Sequence, residues 1–325
     1  MVNRPAQVAQ GPVERATPLR EKAAGGDRIG IVPILWNNAD LPDLAPPVPA
    51  LTVLDEIARL GYSGTQLGIG FPRGRALAAE LASRGLRLAE VYVALPGDAS
   101  GPAPAAAEVA RAGLEELNAA GGDVLVVALA LSPERDEWVG RAQRAPGLTD
   151  EGWRSLSALL HDLGAEASER GHRIAFHNHA ATYVETPEEV DRLCQATSPE
   201  RVGLCLDVGH ATVGGGDAVA MIRQHGERIT HVHLKDVDAG PLEELRSGHL
   251  TGFEPALRRR VFAPLGSGVL DLPAVLDALS ELGYGGWMMV EQDTSWEPPS
   301  EAAAIGRSVL VAMLRWRAGT PGGRA

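Results

Sequence analysis

The chain has 325 residues, 45% hydrophobic and 22% charged, with a net charge of −12. That make-up fits a soluble globular protein, either one large α/β barrel or two average domains. The acidic balance argues against nucleic acid, whose affinity comes mainly from basic residues meeting phosphate, and no apolar run reaches the roughly 20 residues of a membrane span.

Residues 1–28 carry no apolar signal-peptide core and are rich in Ala, Pro, Gly and charge, so a disordered tail is expected there. Ile29 to Leu35 reads as the first strand and runs into the polar turn Trp36-Asn-Asn-Ala-Asp40. A helix over Pro49 to Leu60 stops at Gly61. Gly64 to Gly68 is a short second strand, Arg73 to Arg84 a helix, and Leu86 to Val93 the third strand. An Ala-rich helix over Ala105 to Ala120 leads to the fourth strand, Val124 to Leu129. Thr149 caps a helix running to Arg170, and His172 to His177 is the fifth strand. Thr186-Pro opens the next helix, followed by strands over Val202 to Asp207 and Ile229 to Lys235. Ala239 to Gly268 reads as a long irregular segment with a solvated basic run, Arg258 to Arg260. A helix over Leu272 to Leu282, a strand over Trp287 to Glu291 and a closing helix over Ser300 to Trp316 complete the chain. The expected organisation is a single catalytic domain over 29–316 with a flexible tail over 317–325.

Eight strands, each followed by a helix, suggest a TIM (β/α)8 barrel. An open doubly wound sheet is the alternative, weakened because no Gly-x-Gly-x-x-Gly follows the first strand. Cys194 and Cys205 lie in apolar stretches and read as buried thiols in a reducing, cytoplasmic compartment.

In a parallel barrel the active site sits at the C-terminal strand ends. Here four consecutive ends carry metal-liking side chains: His177 and His179, Asp207, His233, and Glu291. Period-two alternation puts His231, His233 and Lys235 on one face, and Glu291 and Asp293 on another. We expect a metal held by His177, Asp207, His233 and Glu291, with His177 preferred to His179 on strand five. A mixed imidazole and carboxylate set with open positions suits Mn²⁺, Co²⁺, Fe²⁺ or Zn²⁺ better than Ca²⁺. His210, His231 and Lys235 are expected to touch the substrate or support the ligands. Glu90 reads as a half-exposed structural carboxylate, and Cys205 as core packing.

The run Asp207-x-x-His210, His231-x-His233-x-Lys235-Asp236, Gly266-Ser-Gly268 and Val290-Glu291 resembles the xylose-isomerase-like TIM-barrel superfamily of isomerases, epimerases, dehydratases and an abasic-site endonuclease. Gly30 to Asp43, with His177-Asn-His179 and Val184-Glu-Thr186, is similar to its inosose (2-keto-myo-inositol) dehydratase family. The similarity covers about residues 28–316. The departures are His177 where glutamate is common, Gln66 in place of a strand-two glutamate, Asn178 within the histidine run, and Leu265 to Gly268 in place of Pro-Gly-Asp-Gly.

The resemblance implies an enzyme dependent on Mn²⁺ or Co²⁺, with Zn²⁺ or Fe²⁺ as alternatives. Its small-molecule substrate would be a cyclitol or sugar, with a homo-oligomer by analogy. The implied reaction takes the α-proton of a keto-cyclitol and expels the β-hydroxyl. Glu291 and a strand-five histidine, His177 or His179, are candidates for proton transfer; Trp36, Asn37, Asn38 and Gln66 are candidates for substrate contact. An isomerase or epimerase using the same site, and a cyclitol-binding protein with a degenerate site, are the alternative readings.

Overall fold

A computed structural model describes residues 28–295 and 297–319. Eight parallel strands close into a barrel. In chain order they are β1 (Ile29–Ile31), β2 (Gly64–Gln66), β3 (Arg87–Leu95), β4 (Val124–Leu129), β5 (Arg173–His177), β6 (Val202–Asp207), β7 (Ile229–Leu234) and β8 (Met288–Val290). Each strand pairs with its sequence neighbours, and β1 closes on β8 with Ile29 opposite Met288 and Ile31 opposite Val290. Closure excludes the open sheet. The principal helices after the strands are α1 (Ala50–Leu60), α2 (Gly74–Ser83), α3 (Ala106–Ala120), α4 (Asp150–Glu169), α5 (Pro187–Ala196), α6 (Ala218–His225), α7 (Leu272–Glu281) and α8 (Pro299–Gly319).

Alternation along the strands divides two interiors. Val91, Leu125, Val127, Ile174, Phe176, Leu204, Leu206, Val232 and Leu234 face outward into one core shared with the helices, which supply Val53, Leu77, Leu114, Leu156 and Leu160. This layer accounts for the near-continuous apolar strands, buried on both faces as in parallel sheets. Inside the barrel, Val124, Val126, Ala175 and Cys205 form a separate small cluster. Glycines make room for its floor. A Cβ on Gly30 would lie 2.4 Å from Met289 Sδ, and one on Gly64 2.5 Å from the Trp287 ring. β1 and β2 therefore leave their inward space to the two large side chains of the eighth strand's start.

Local capping follows the residue types. Thr149 accepts from Gly152 N, and Thr186 with Glu189 forms a capping box at α5. The stretch after β7 differs from the irregular segment expected. It holds helices over Ala239–Ser247 and Phe253–Arg258, and Asp236–Val237 pairs antiparallel with Phe262–Ala263. Asp236 organises this return: its carboxylate accepts from Gly266 N, Gly268 N and Leu270 N at 2.9–3.0 Å. A Cβ on Gly268 would sit 2.3 Å from Asp236 Oδ1, which explains the Gly-x-Gly spacing.

Of the two thiols, Cys205 is buried and Cys194 only partly so. The closing helix continues past Trp316 to Gly319. The expected N-terminal tail, apart from Arg28, and the remainder of the C-terminal one lie outside the described residues. Among those residues no helix is long and apolar enough to cross a membrane.

Candidate metal centre and active site

Strand geometry brings the four candidate ligands together. His177 ends β5 and Asp207 ends β6, while His233 lies on β7 in register with Asp207 and Glu291 stands just past β8. One donor atom from each of these four lies within 4.8 Å of the others, and all four residues are buried. His177 Nε2 is 3.5 Å and His233 Nδ1 3.8 Å from Asp207 Oδ2. His233 Nδ1 is 2.6 Å from Glu291 Oε2. Asp207 Oδ2, Glu291 Oε2 and His233 Nδ1 nevertheless make no hydrogen bond, although all are out of contact with solvent. Buried polar atoms are normally satisfied. Lone pairs left converging on one point fit a divalent cation, and two imidazoles with two carboxylates suit a borderline transition ion.

The electrostatics of three of the donors agree with that set, and His233 runs the other way: burial works against its charge, but Cys205, Glu90 and Glu291 outweigh it and hold the imidazole well above the usual histidine range, so a cation must displace a proton there. Burial works against the charge of Glu291, but Lys235 and His233 outweigh it and hold the carboxyl well below its ordinary range. Asp207 is likewise held low against burial, chiefly by Lys235. Burial pushes His177 down, leaving a neutral imidazole able to donate a lone pair.

The backbone around Asp207 is fixed twice. Its Oδ1 caps the short helix Val208–Val213 by accepting from His210 N at 2.7 Å. Asn178 clasps the peptide groups, donating to Asp207 O and accepting from Asp207 N at 3.1 and 3.0 Å. Asn178, which looked like an interruption of the histidine run, is the residue that holds β5 and β6 in step.

A cavity of about 270 Å³ opens above the ligands. Among its lining residues are His177, His179, His233 and Glu291, together with Gln66, Tyr92, Asp40 and Asp293. His179 stacks on His210 with ring centroids 3.8 Å apart, and its Nδ1 is 2.7 Å from Ala180 O. A carbonyl can only accept, so Nδ1 carries the proton and Nε2 keeps its lone pair. Burial holds His179 down at about 3. Asp40 and Asp293 were not singled out as site residues from sequence. Burial raises both, Asp293 to about 7 despite Lys235 beside it.

Several expected substrate contacts lie elsewhere. Trp36 is 3% exposed, belongs to the core between barrel and helices, and donates its indole N–H to Glu56 at 2.6 Å. Asn37 lines the cavity, but its amide is used on both backbone groups of Val48. Asn38 ties the first loop to the last, donating to Asp293 O and accepting from Asp40 N and Leu41 N. Polar side chains after a strand suggested ring contacts; the turn consumes them instead.

Lys235 is fully buried. Its Nζ lies 2.8 Å from Glu291, 2.9 Å from Asp293, 3.5 Å from Asp207 and 2.9 Å from His210 Nε2. It is a fixed counter-charge to three carboxylates and does not line the cavity. His210 sits behind His179 and accepts from Ala180 N at 3.1 Å. His231 lies below His233, 2.6 Å from Glu90. Glu90 itself is 0% exposed and not half-exposed as its sequence suggested.

Replacing Trp36 separates packing from recognition. Trp36→Phe should lower stability by about 1–3 kcal/mol through the lost bond to Glu56, while KM stays within about twofold. Denaturant unfolding beside steady-state kinetics checks this; a large KM rise at unchanged stability would restore Trp36 to the substrate.

Comparison with known proteins places this geometry. The family model "Xylose isomerase-like TIM barrel" matches residues 54–313. The chain belongs to the xylose isomerase-like TIM barrel family. It is 37% identical over 295 residues to the rhizopine catabolism protein MocC of Rhizobium meliloti, covering 88% of each chain. It is 34% identical over 291 residues to the inosose dehydratase of Geobacillus thermodenitrificans, covering 87% of this chain and 96% of that one. The expectation of a barrel enzyme resembling the inosose dehydratases is borne out by these relatives. Among solved structures, an L-ribulose 3-epimerase superposes with a TM-score of 0.68 at 19% identity, covering 91% of this chain and 98% of that one. That likeness speaks for the fold alone.

Proposed function

We propose that this enzyme is a metal-dependent dehydratase of a keto-cyclitol of the 2-keto-myo-inositol type. The observation that carries the reading is the convergence of unpartnered buried lone pairs from Asp207, His233 and Glu291, with His177, beneath a cavity of about 270 Å³. The relatives named inosose dehydratase supply the substrate class. The cavity walls support it: they offer carboxylate, amide, phenol and imidazole groups and no arginine or lysine, a lining for an uncharged polyol.

His177, Asp207, His233 and Glu291 would hold the cation, with Mn²⁺ or Co²⁺ our assignment. It would supply Lewis acidity toward the substrate's ketone oxygen. With the lone pairs of His177 and Glu291 committed to the ion, His179 is the strand-five residue left to take the α-proton. Its Nδ1–H is anchored on Ala180 O, so Nε2 faces the substrate unprotonated. Gln66, at the opposite wall, would bind ring hydroxyls. Lys235 keeps Asp207 and Glu291 charged and in place without touching the ring.

The test incubates metal-loaded protein with 2-keto-myo-inositol and follows product mass and diketone absorbance. Loss of one water, abolished by a chelator and restored by Mn²⁺ or Co²⁺, is the expected result. Unchanged mass with solvent deuterium entering the ring would replace dehydration by isomerisation or epimerisation. Neither change across a panel of keto-cyclitols would leave a binding protein.

A further inference from the structure

Glu90 is a carboxylate sunk inside the barrel next to a layer that is otherwise apolar. Val124, Val126, Ala175 and Cys205 make up that layer, and Glu90 is 0% exposed. It belongs to β3, while both of its polar partners belong to β7, a strand with which β3 does not pair. One oxygen, Oε2, lies 2.9 Å from His233 Nε2 and 2.6 Å from His231 Nε2. Neither lysine nor arginine pairs with it among the ion pairs of the described residues. An isolated carboxylate in such a place is costly, so the contact with His233 invites a reason.

We propose that Glu90 is a positioning residue that fixes the ring proton of His233 on Nε2 and leaves Nδ1 bare for the metal. An imidazole has two tautomers, and the group bonded to one nitrogen decides which nitrogen is free. On the far side of the ring, Nδ1 lies 2.6 Å from Glu291 Oε2. Without a stronger acceptor at Nε2, the proton would move to Nδ1 and be donated to Glu291. That internal pair would occupy two of the four donors at once. Once a cation displaces the Nδ1 proton, Glu90 keeps the remaining one on Nε2, and Nδ1 and Glu291 Oε2 are free as a matched pair of lone pairs. His231, two residues back on the same strand face, brings its Nε2 to 2.6 Å from the same oxygen. Carboxylates behind ligand histidines act in this way generally, and removing them weakens metal binding by about 10- to 100-fold.

This inference rests on the metal-site reading, and the experiment keeps the two apart. Mn²⁺ and Co²⁺ are titrated into wild-type protein and Glu90→Gln by calorimetry and by the visible spectrum of Co²⁺. In parallel, histidine ¹⁵N NMR on metal-free protein, titrated to the pH at which His233 is neutral, reads the tautomer of that ring. The glutamine keeps the shape but is a weaker, neutral acceptor. We expect a folded variant with an affinity drop of about 10- to 100-fold, and a His233 signal shifting from Nε2–H toward Nδ1–H. Unchanged affinity in folded Glu90→Gln overturns the inference and leaves the metal site standing. Absence of metal binding by the wild type overturns the metal reading itself. Should the variant fail to fold, the wild-type spectrum decides: a neutral metal-free His233 with its proton on Nδ1 overturns the proposal.

Discussion

Asp207→Asn should lose divalent-metal binding and, with it, turnover by about 10³-fold, since several kcal/mol of metal-supplied stabilisation correspond to that factor. The substitution is chosen for what it spares. Asp207 divides its work between two oxygens: Oδ1 caps the helix Val208–Val213, and Oδ2 stands unpartnered among the ligands. Asparagine keeps a carbonyl oxygen for the cap, so the β6 end should stay folded, while the charged donor is gone. Asp207→Ala removes both and should cost about 1 kcal/mol more in stability from the lost cap. Metal titration, thermal unfolding and turnover measured on both variants would separate the roles. Full activity of folded Asp207→Asn would remove this residue from the centre.

Lys235→Met should be the most destabilising single change in the site, by about 3–5 kcal/mol in metal-free protein. Its ammonium is the shared counter-ion of Glu291, Asp293 and Asp207, and methionine leaves three buried carboxylates facing one another. The apolar stem is kept, so packing loss contributes little. A bound divalent cation offsets part of the same repulsion, so added Mn²⁺ should recover a larger share of stability in the variant than in the wild type. Urea unfolding with chelator and with metal measures both quantities. A loss under about 1 kcal/mol would mean that these carboxylates are already protonated in the folded protein.

Much of this was legible from residues alone because a parallel barrel writes plainly. Val124–Leu129 and Val202–Asp207 are apolar runs buried on both faces, and their bounds match the expectation. The short strands were overextended at their far ends, because the apolar run continues through Pro33–Leu35 as a single helical turn. The four candidate ligands could be picked out because each sits at, or next to, the C-terminal end of its strand. Glu90 was misjudged for want of the same parity argument. With Val91 and Val93 facing the helices, Glu90 and Tyr92 must face inward. Trp36 and Asn38 were misjudged because local turn chemistry and core packing claim polar and aromatic groups without any signature that separates them from substrate contacts. The two helices between Ala239 and Arg258 are nine and six residues long, too short for a helical period to stand out.

The glycine-bordered floor has a consequence for traffic. Trp287 and Met289 fill the space left by Gly30 and Gly64, and both are buried. His177, His233 and Glu291 also line the cavity, so on the proposed function ion and cyclitol would share one doorway. Loading would then be sequential, with the ion entering first and leaving last. A ring seated in the cavity would work as a stopper over the metal, and a chelator should strip the resting enzyme faster than the working one.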